Sequence, residues 1–196
     1  MKSSQDISKE LLVSPFPRIE EWENWLKDNH DSAKGIWLKL AKKSSGIPSI
    51  TYEEAVNGAL CYGWIDSHKK GFDDHWWLQK FTPRRPNSIW SKRNREKIEA
   101  LMAGGKMEPA GLKAVEDAKA NGQWESAYDS PNNAAIPDDF QAALDNSPDA
   151  KEFYATLNSR NTYAILHRIQ TAKKPETRQE RIGKMIKMLE KKEKLY

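Results

Sequence analysis

Seven residues have the types and positions to line a ligand site: Asp66, Arg84, Arg85, Ser88, Trp90, Ser91 and Asn94. The stretch FTPRRPNSIWSKRN (81–94) leaves a predicted strand, crosses two prolines and two arginines, and enters a helix predicted from Ser88 to about Ala103. A helix start offers unpaired backbone N–H groups and the positive end of the helix dipole, so it attracts anions. Ser88 and Ser91 would add hydroxyls, and Arg84 and Arg85 would clasp a carboxylate or phosphate two-pronged. The same residues also read as a Ser88 cap beside surface arginines paired with acids of the chain. Asn94 lies four residues after Trp90 and four before Ile98, on the face that a helix would bury. There its amide needs partners, either the 83–88 loop or a ligand. Asp66 sits mid-strand between Trp64 and His68, where a carboxylate requires a partner. An arginine from 84–85 would serve, leaving Asp66 open to a structural pairing or a catalytic acid's role.

Other reactive side chains point to less. His68, His75, Asp73 and Asp74 match no established ligand spacing, and paired aspartates suit a tight turn, so no metal is expected. Cys61, beside Ala59, Leu60 and Tyr62, reads as a small buried residue. No nucleophile elbow, phosphate-cradling glycine loop or dinucleotide fingerprint occurs, so no cofactor is expected and no reaction is named. Whether the chain is an enzyme stays open. Trp64, Trp76 and Trp77, with the basic residues of 80–97, have the ingredients for stacking on a single-stranded nucleic acid. Sheet aromatics ordinarily belong to a core, however, and the usual RNA-binding patterns are absent, so nucleic acid is not the expected partner.

A small set of elements carries these residues. Ile19, Trp22, Trp25 and Leu26 recur at helical spacing within 17–30. Alternation marks strands at 35–43, 64–70 and 75–82, the last two forming a hairpin across GFDD (71–74). Thr51 and Glu54 form a capping box that starts a helix running to about Tyr62. Pro109 opens another, ended by Asn121-Gly122, with Trp124 folding back on it. After residue 82 only helical patterns occur, with starts marked by Pro137, Ser147-Pro148, Ser159 and Pro175. The expectation is an α+β fold: a small, mainly antiparallel three-stranded sheet packed with helices, then an all-helical C-terminal module. The divisions fall at 1–124, a linker at 125–136, and 137–196.

Composition agrees with a folded chain of 196 residues, 38% of them hydrophobic and eight of them tryptophan. No apolar run approaches a membrane span, and the N-terminus lacks a secretory signal, so a soluble, cytoplasmic protein without membrane association is expected. Residues 151–196 hold twelve Lys and Arg against five Asp and Glu, and residues 69–97 hold nine against three. Two basic zones thus sit on an otherwise acidic body and would draw anionic partners.

TYEEAVNGALCYGWIDS (51–67), FTPRRPNSIWSKRN (81–94), GGKMEPAGLKAVEDAKANGQW (104–124) and ILHRIQTAKKPETRQERIGKMIKML (165–189) together resemble the YdeI/OmpD-associated, or bacteriocin-protection, family over roughly 34–190. The resemblance implies the same α+β fold with a helical C-terminal domain. Its name suggests a link to bacteriocin or envelope-stress tolerance and implies no reaction or cofactor. The expected function is an intracellular binding protein that recognises an anionic small molecule or peptide between the 64–68 strand and the 82–94 segment. The alternative is a protein- or nucleic-acid-interaction module that uses the basic C-terminal helix.

Overall fold

A computed structural model describes residues 11–129 and 135–196. The N-terminal MKSSQDISKE and residues 130–134 of the expected linker lie outside the described residues. The chain divides into two compact units, residues 1–88 with 94–124, and residues 89–93 with 125–196.

The first unit is built on four strands, β1 (Leu12–Pro15), β2 (Ile36–Ala41), β3 (Trp64–Gly71) and β4 (Trp76–Pro83), in the order β1-β2-β4-β3. The sheet therefore has one strand more than expected. β1 is four residues long, ends in proline, and pairs parallel to β2, with Leu12 opposite Ile36. Its Leu-Val-Ser-Pro sequence is too short to show alternation, so only pairing with β2 reveals it. The β3–β4 hairpin is antiparallel, as expected, and so is the β2–β4 pair.

Ile36, Leu38 and Leu40 point to one face, where they are fully or almost fully buried opposite Phe81, Gln79 and Trp77 of β4. Helix α1 (Ile19–Asn29) covers this inner face with Trp22, whose ring meets Phe81 at 5.6 Å and whose Nε1–H donates to the Ala55 carbonyl at 3.1 Å. Helix α2 (Tyr52–Cys61) starts at the expected capping box: the Thr51 hydroxyl accepts from Glu54 N–H, and the Glu54 carboxylate accepts from Thr51 N–H.

Helix α3 (Lys92–Ala103) corrects an expectation, because it begins four residues after Ser88. Helix α4 (Pro109–Ala120) starts at its proline, and Trp124 N–H donates back to the Ala118 carbonyl at 3.1 Å, the expected return. α4 approaches the end of α2 through two glycines. A Cβ on Gly111 would overlap the Cys61 carbonyl, and Gly63, at φ +72°, would carry a Cβ 2.9 Å from the Ala110 carbonyl oxygen.

The second unit holds helices α5 (Asp138–Asp145), α6 (Pro148–Ala155), α7 (Ser159–Gln170) and α8 (Pro175–Glu190) around Phe140, Leu144, Ile165, Ile169, Ile182 and Leu189. Arg178 of α8 donates to both carboxylate oxygens of Asp139 at 2.6 and 2.8 Å. Asn161 is buried, and its side-chain oxygen accepts from the N–H groups of Leu195 and Tyr196, which fastens the end of the chain to α7. The Tyr154 hydroxyl is buried in this core without a hydrogen-bond partner among the described residues, and burial pushes its pKa up to about 12.

Gly111→Ala drives a methyl into backbone and should lower the unfolding free energy by about 3 kcal/mol. Gly183→Ala, on the open side of α8, should raise it by up to about 1 kcal/mol. Equal effects in urea titrations would contradict the close approach of α2 and α4. Tyr154→Phe removes an unpaired buried hydroxyl and should stabilise by about 1 kcal/mol at neutral pH. Because the folded state holds the Tyr154 proton more tightly, the wild type loses stability as pH rises from 10 to about 12. The gap to Tyr154→Phe should therefore widen over that range, and a constant gap would refute the assignment.

Candidate functional site

The seven residues singled out from the sequence fall in both units. Asp66, Arg84, Arg85, Ser88 and Asn94 belong to the first, and Trp90 and Ser91 to the second. Asp66 lies opposite Phe81, so it points to the inner face at an edge strand. Its partner there is Tyr52, whose hydroxyl donates to Oδ2 at 2.7 Å, in place of the expected arginine. A bulge explains why alternation misplaces the residues after Asp66: from there to Lys69, β3 uses three steps where β4 uses two. Lys69, not His68, therefore shares the Asp66 face, and its ammonium lies 4.4 Å from the Trp77 ring.

Beyond β4, Arg84 N–H donates to the Gly63 carbonyl at 2.9 Å and its side chain is half-buried. Arg85 and Ser88 close a turn on each other. Ser88 N–H donates to the Arg85 carbonyl at 2.8 Å, and the Ser88 hydroxyl accepts from Arg85 N–H at 3.0 Å. The hydroxyl expected at a helix start thus sits in this turn, and Asn121 braces it by donating to the Pro86 carbonyl at 2.7 Å. Trp90 is buried, and residues 90–92 run beside Tyr128: Tyr128 N–H donates to the Trp90 carbonyl, and Lys92 N–H to the Tyr128 carbonyl. Asn94 is half-buried in the first turn of α3.

The basic C-terminal helix is partly engaged within its own unit. Arg178 pairs with Asp139, Arg181 donates to the Arg168 carbonyl, and Lys184 pairs with Glu180. No group of three or more His, Cys, Asp or Glu side chains is placed to hold a metal ion among the described residues. No described helix is long and apolar enough to cross a membrane.

Two other places gather chemistry. The first is the outer face of the sheet. Register puts Trp37 opposite Lys80, Lys39 opposite Leu78, and Lys70 on the far side of Leu78. The Lys39 ammonium lies 4.5 Å from the Phe72 ring centre and 4.8 Å from that of Trp76, and Lys80 lies 5.9 Å from that of Trp37. Trp37, Trp76, Lys39 and Lys80 are half-buried, and Lys70 and Phe72 are exposed. Leu78, at the middle, is fully buried although it faces outward. Asp73, in the turn beside this face, accepts from His75 N–H and Trp76 N–H, both at 2.8 Å. Of the three hairpin tryptophans singled out from the sequence, Trp64 is core, Trp77 faces inward beside Tyr52, and only Trp76 lies on the outer face.

The second is a cleft of about 270 Å³ lined by Glu23, Cys61, Tyr62, Lys106 and Glu108. Sequence reasoning missed it, since its residues come from α1, the end of α2 and the α3–α4 connection. Burial, with Glu23 and Glu108 adding to it, pushes the Cys61 thiol up to about 11. Burial and then the same two carboxylates also raise the Tyr62 phenol. Cys61 is thus a protonated thiol at neutral pH, which fits its reading as a small buried residue.

At pH 8 a thiol at about 11 has about a hundredfold less thiolate than one at the ordinary 9.0. Iodoacetamide should therefore label Cys61 at least about tenfold more slowly in the native chain than in guanidinium. Glu108→Gln should quicken the native reaction. Native labelling at the unfolded rate would overturn the assignment.

Residues 14–114 match the family model described as a domain of unknown function (DUF8412). Residues 133–192 match the model described as bacteriocin-protection, YdeI or OmpD-associated. The resemblance drawn over 34–190 thus narrows to the C-terminal part, and the blocks at 51–67 and 81–94 fall within the other match. No curated protein and no solved structure matches the chain.

Proposed function

The chain belongs to the family of the domain of unknown function DUF8412, with a YdeI- or OmpD-associated part at its C-terminus, and on that premise we propose that it is a binding protein for anionic ligands. The observation that carries this reading is the pairing of lysines with aromatic rings on the outer face of the sheet. Lysine ammoniums over ring faces are drawn there by the ring quadrupole, which holds the charge close to the sheet. Lys39 and Lys80 are half-buried, and Lys70, on the same face, is exposed. Such a face offers fixed positive charge beside flat apolar surface, which suits an anion attached to a planar or apolar body.

The turn at Arg85 and Ser88 is an additional contact under the same reading, with the Arg85 guanidinium exposed and the backbone held in shape by the Ser88 hydroxyl. The bacteriocin-protection description belongs to the family matched by residues 133–192, and the proposed site lies in the other unit.

Inorganic polyphosphate tests the reading, because it supplies negative charge without any other chemistry. Titration calorimetry at low salt should show binding to the whole chain. The Lys39→Gln/Lys80→Gln double variant should bind about tenfold more weakly, on the scale of one to two charge-assisted contacts. Polyphosphate binding unchanged in that variant would move the anion site off the sheet.

A further inference from the structure

We propose that the outer face of the sheet binds single-stranded nucleic acid, with Trp37, Phe72 and Trp76 as stacking platforms and Lys39, Lys70 and Lys80 as phosphate contacts. The proposal rests on the anion-binding reading of the same face and names the partner. A partner recognised by charge alone needs only the lysines, yet here each of two lysines is set against aromatic rings, and the three rings share the lysines' face of the sheet. Strand geometry spaces same-face residues about 7 Å apart along β2 and β4 and about 5 Å between neighbouring strands. Across the strands Trp37 lies opposite Lys80, and Lys39 sits by the rings of Phe72 and Trp76, so each ring has an ammonium that a stacking base would displace toward its own phosphate.

A single strand offers the matching repeat: bases with two apolar faces, joined by phosphates. Every base has a π-face, so stacking tolerates any sequence, and lysines follow the backbone. A duplex hides its base faces within the stack, so it can use the lysines but not the rings. The patch is anchored, because β4 is bonded on both edges and Leu78 at its middle is fully buried. The Asp73 carboxylate, whose Oδ1 accepts from the N–H groups of His75 and Trp76, keeps its negative charge in the turn beside the patch, so the phosphates follow the lysines away from that turn. The expectation from sequence was the reverse, because alternation could not tell that Trp76 would turn to the same face as Trp37.

The test titrates the full chain with a fifteen-nucleotide oligothymidylate, following tryptophan fluorescence, beside a polyphosphate of about fifteen units and a fifteen-base-pair duplex. The oligothymidylate should bind at least about tenfold more tightly than either control, since base stacking adds to the phosphate contacts. Its binding should weaken with salt with a logarithmic slope of about −2, the value for three lysine contacts to a single strand. Trp37→Ala/Trp76→Ala should abolish the preference for oligothymidylate over polyphosphate. Should that variant not fold, photo-crosslinking of the wild type to a 5-bromouracil oligonucleotide decides the matter. Crosslinks within 37–39 and 70–80 support the proposal, and crosslinks elsewhere overturn it. Equal affinity for oligothymidylate and polyphosphate would overturn the nucleic-acid inference and leave the anion-binding reading standing. Failure of both to bind would remove both.

Discussion

Hydrogen bonding along both edges of β4 governs the arrangement of the first unit. The strand takes β2 on one side and β3 on the other, so each of its side chains is committed to one face. Phe81 and Gln79 go inward against α1 and α2, and Trp76, Leu78 and Lys80 go outward. A slip of one residue would exchange the two sets, turning Phe81 to water and Lys80 into the core, which the buried inner face forbids. The inward set is held further by Trp22, which touches Phe81 with its ring and binds Ala55 through its N–H. The outer face, with its rings and lysines, is thus a by-product of how firmly the inner face is specified.

The β3 bulge adds a local exception to that order. By placing an extra residue between Asp66 and Lys69, it brings both onto the inner side near Tyr52 and Trp77. The result is a small polar edge, a phenol donating to a carboxylate with a lysine over an indole nearby, at the end of the inner face where α2 begins. Further along, the glycines at 63 and 111 let the α2 end and α4 approach at backbone distance. That approach buries Cys61 and forms one wall of the acidic cleft, so the low reactivity of the thiol and the shape of the cleft share one cause.

The second unit is organised differently. Its four helices run from 8 to 16 residues, and polar anchors support their apolar core: Asp139 with Arg178, Asn158 capping α7, and Asn161 with the chain end. Arg178 holds the Asp139 carboxyl below its ordinary pKa through hydrogen bonding, burial working against it. Residues 89–93 join this unit through Lys92, which pairs with Asp129 at 2.6 Å, while Gln170 donates to the same carboxylate at 3.1 Å. Tyr128 and Tyr163 pack around His167, whose pKa burial lowers.

Much of the fold was legible from local signals. The Thr51–Glu54 box, the prolines at 109, 148 and 175, and the alternation of 36–41 act within one turn or one strand, so neighbouring residues suffice to announce them. The short β1 was not legible, because four residues ending in proline make a strand only when β2 supplies the hydrogen bonds. Nor was the start of α3, since Ser88 found a nearer partner in Arg85 N–H than any helix could offer. The order of residues along 64–94 already supplied the chemistry available there: tryptophans, lysines, arginines and a strand-borne aspartate. How that chemistry is deployed came from long-range pairing. The bulge settled what Asp66 faces, and the β2–β4 register sent Trp76 outward and Trp77 inward. Both are matters of pairing between distant segments, where a shift of one residue reverses every side chain and no local pattern records the choice.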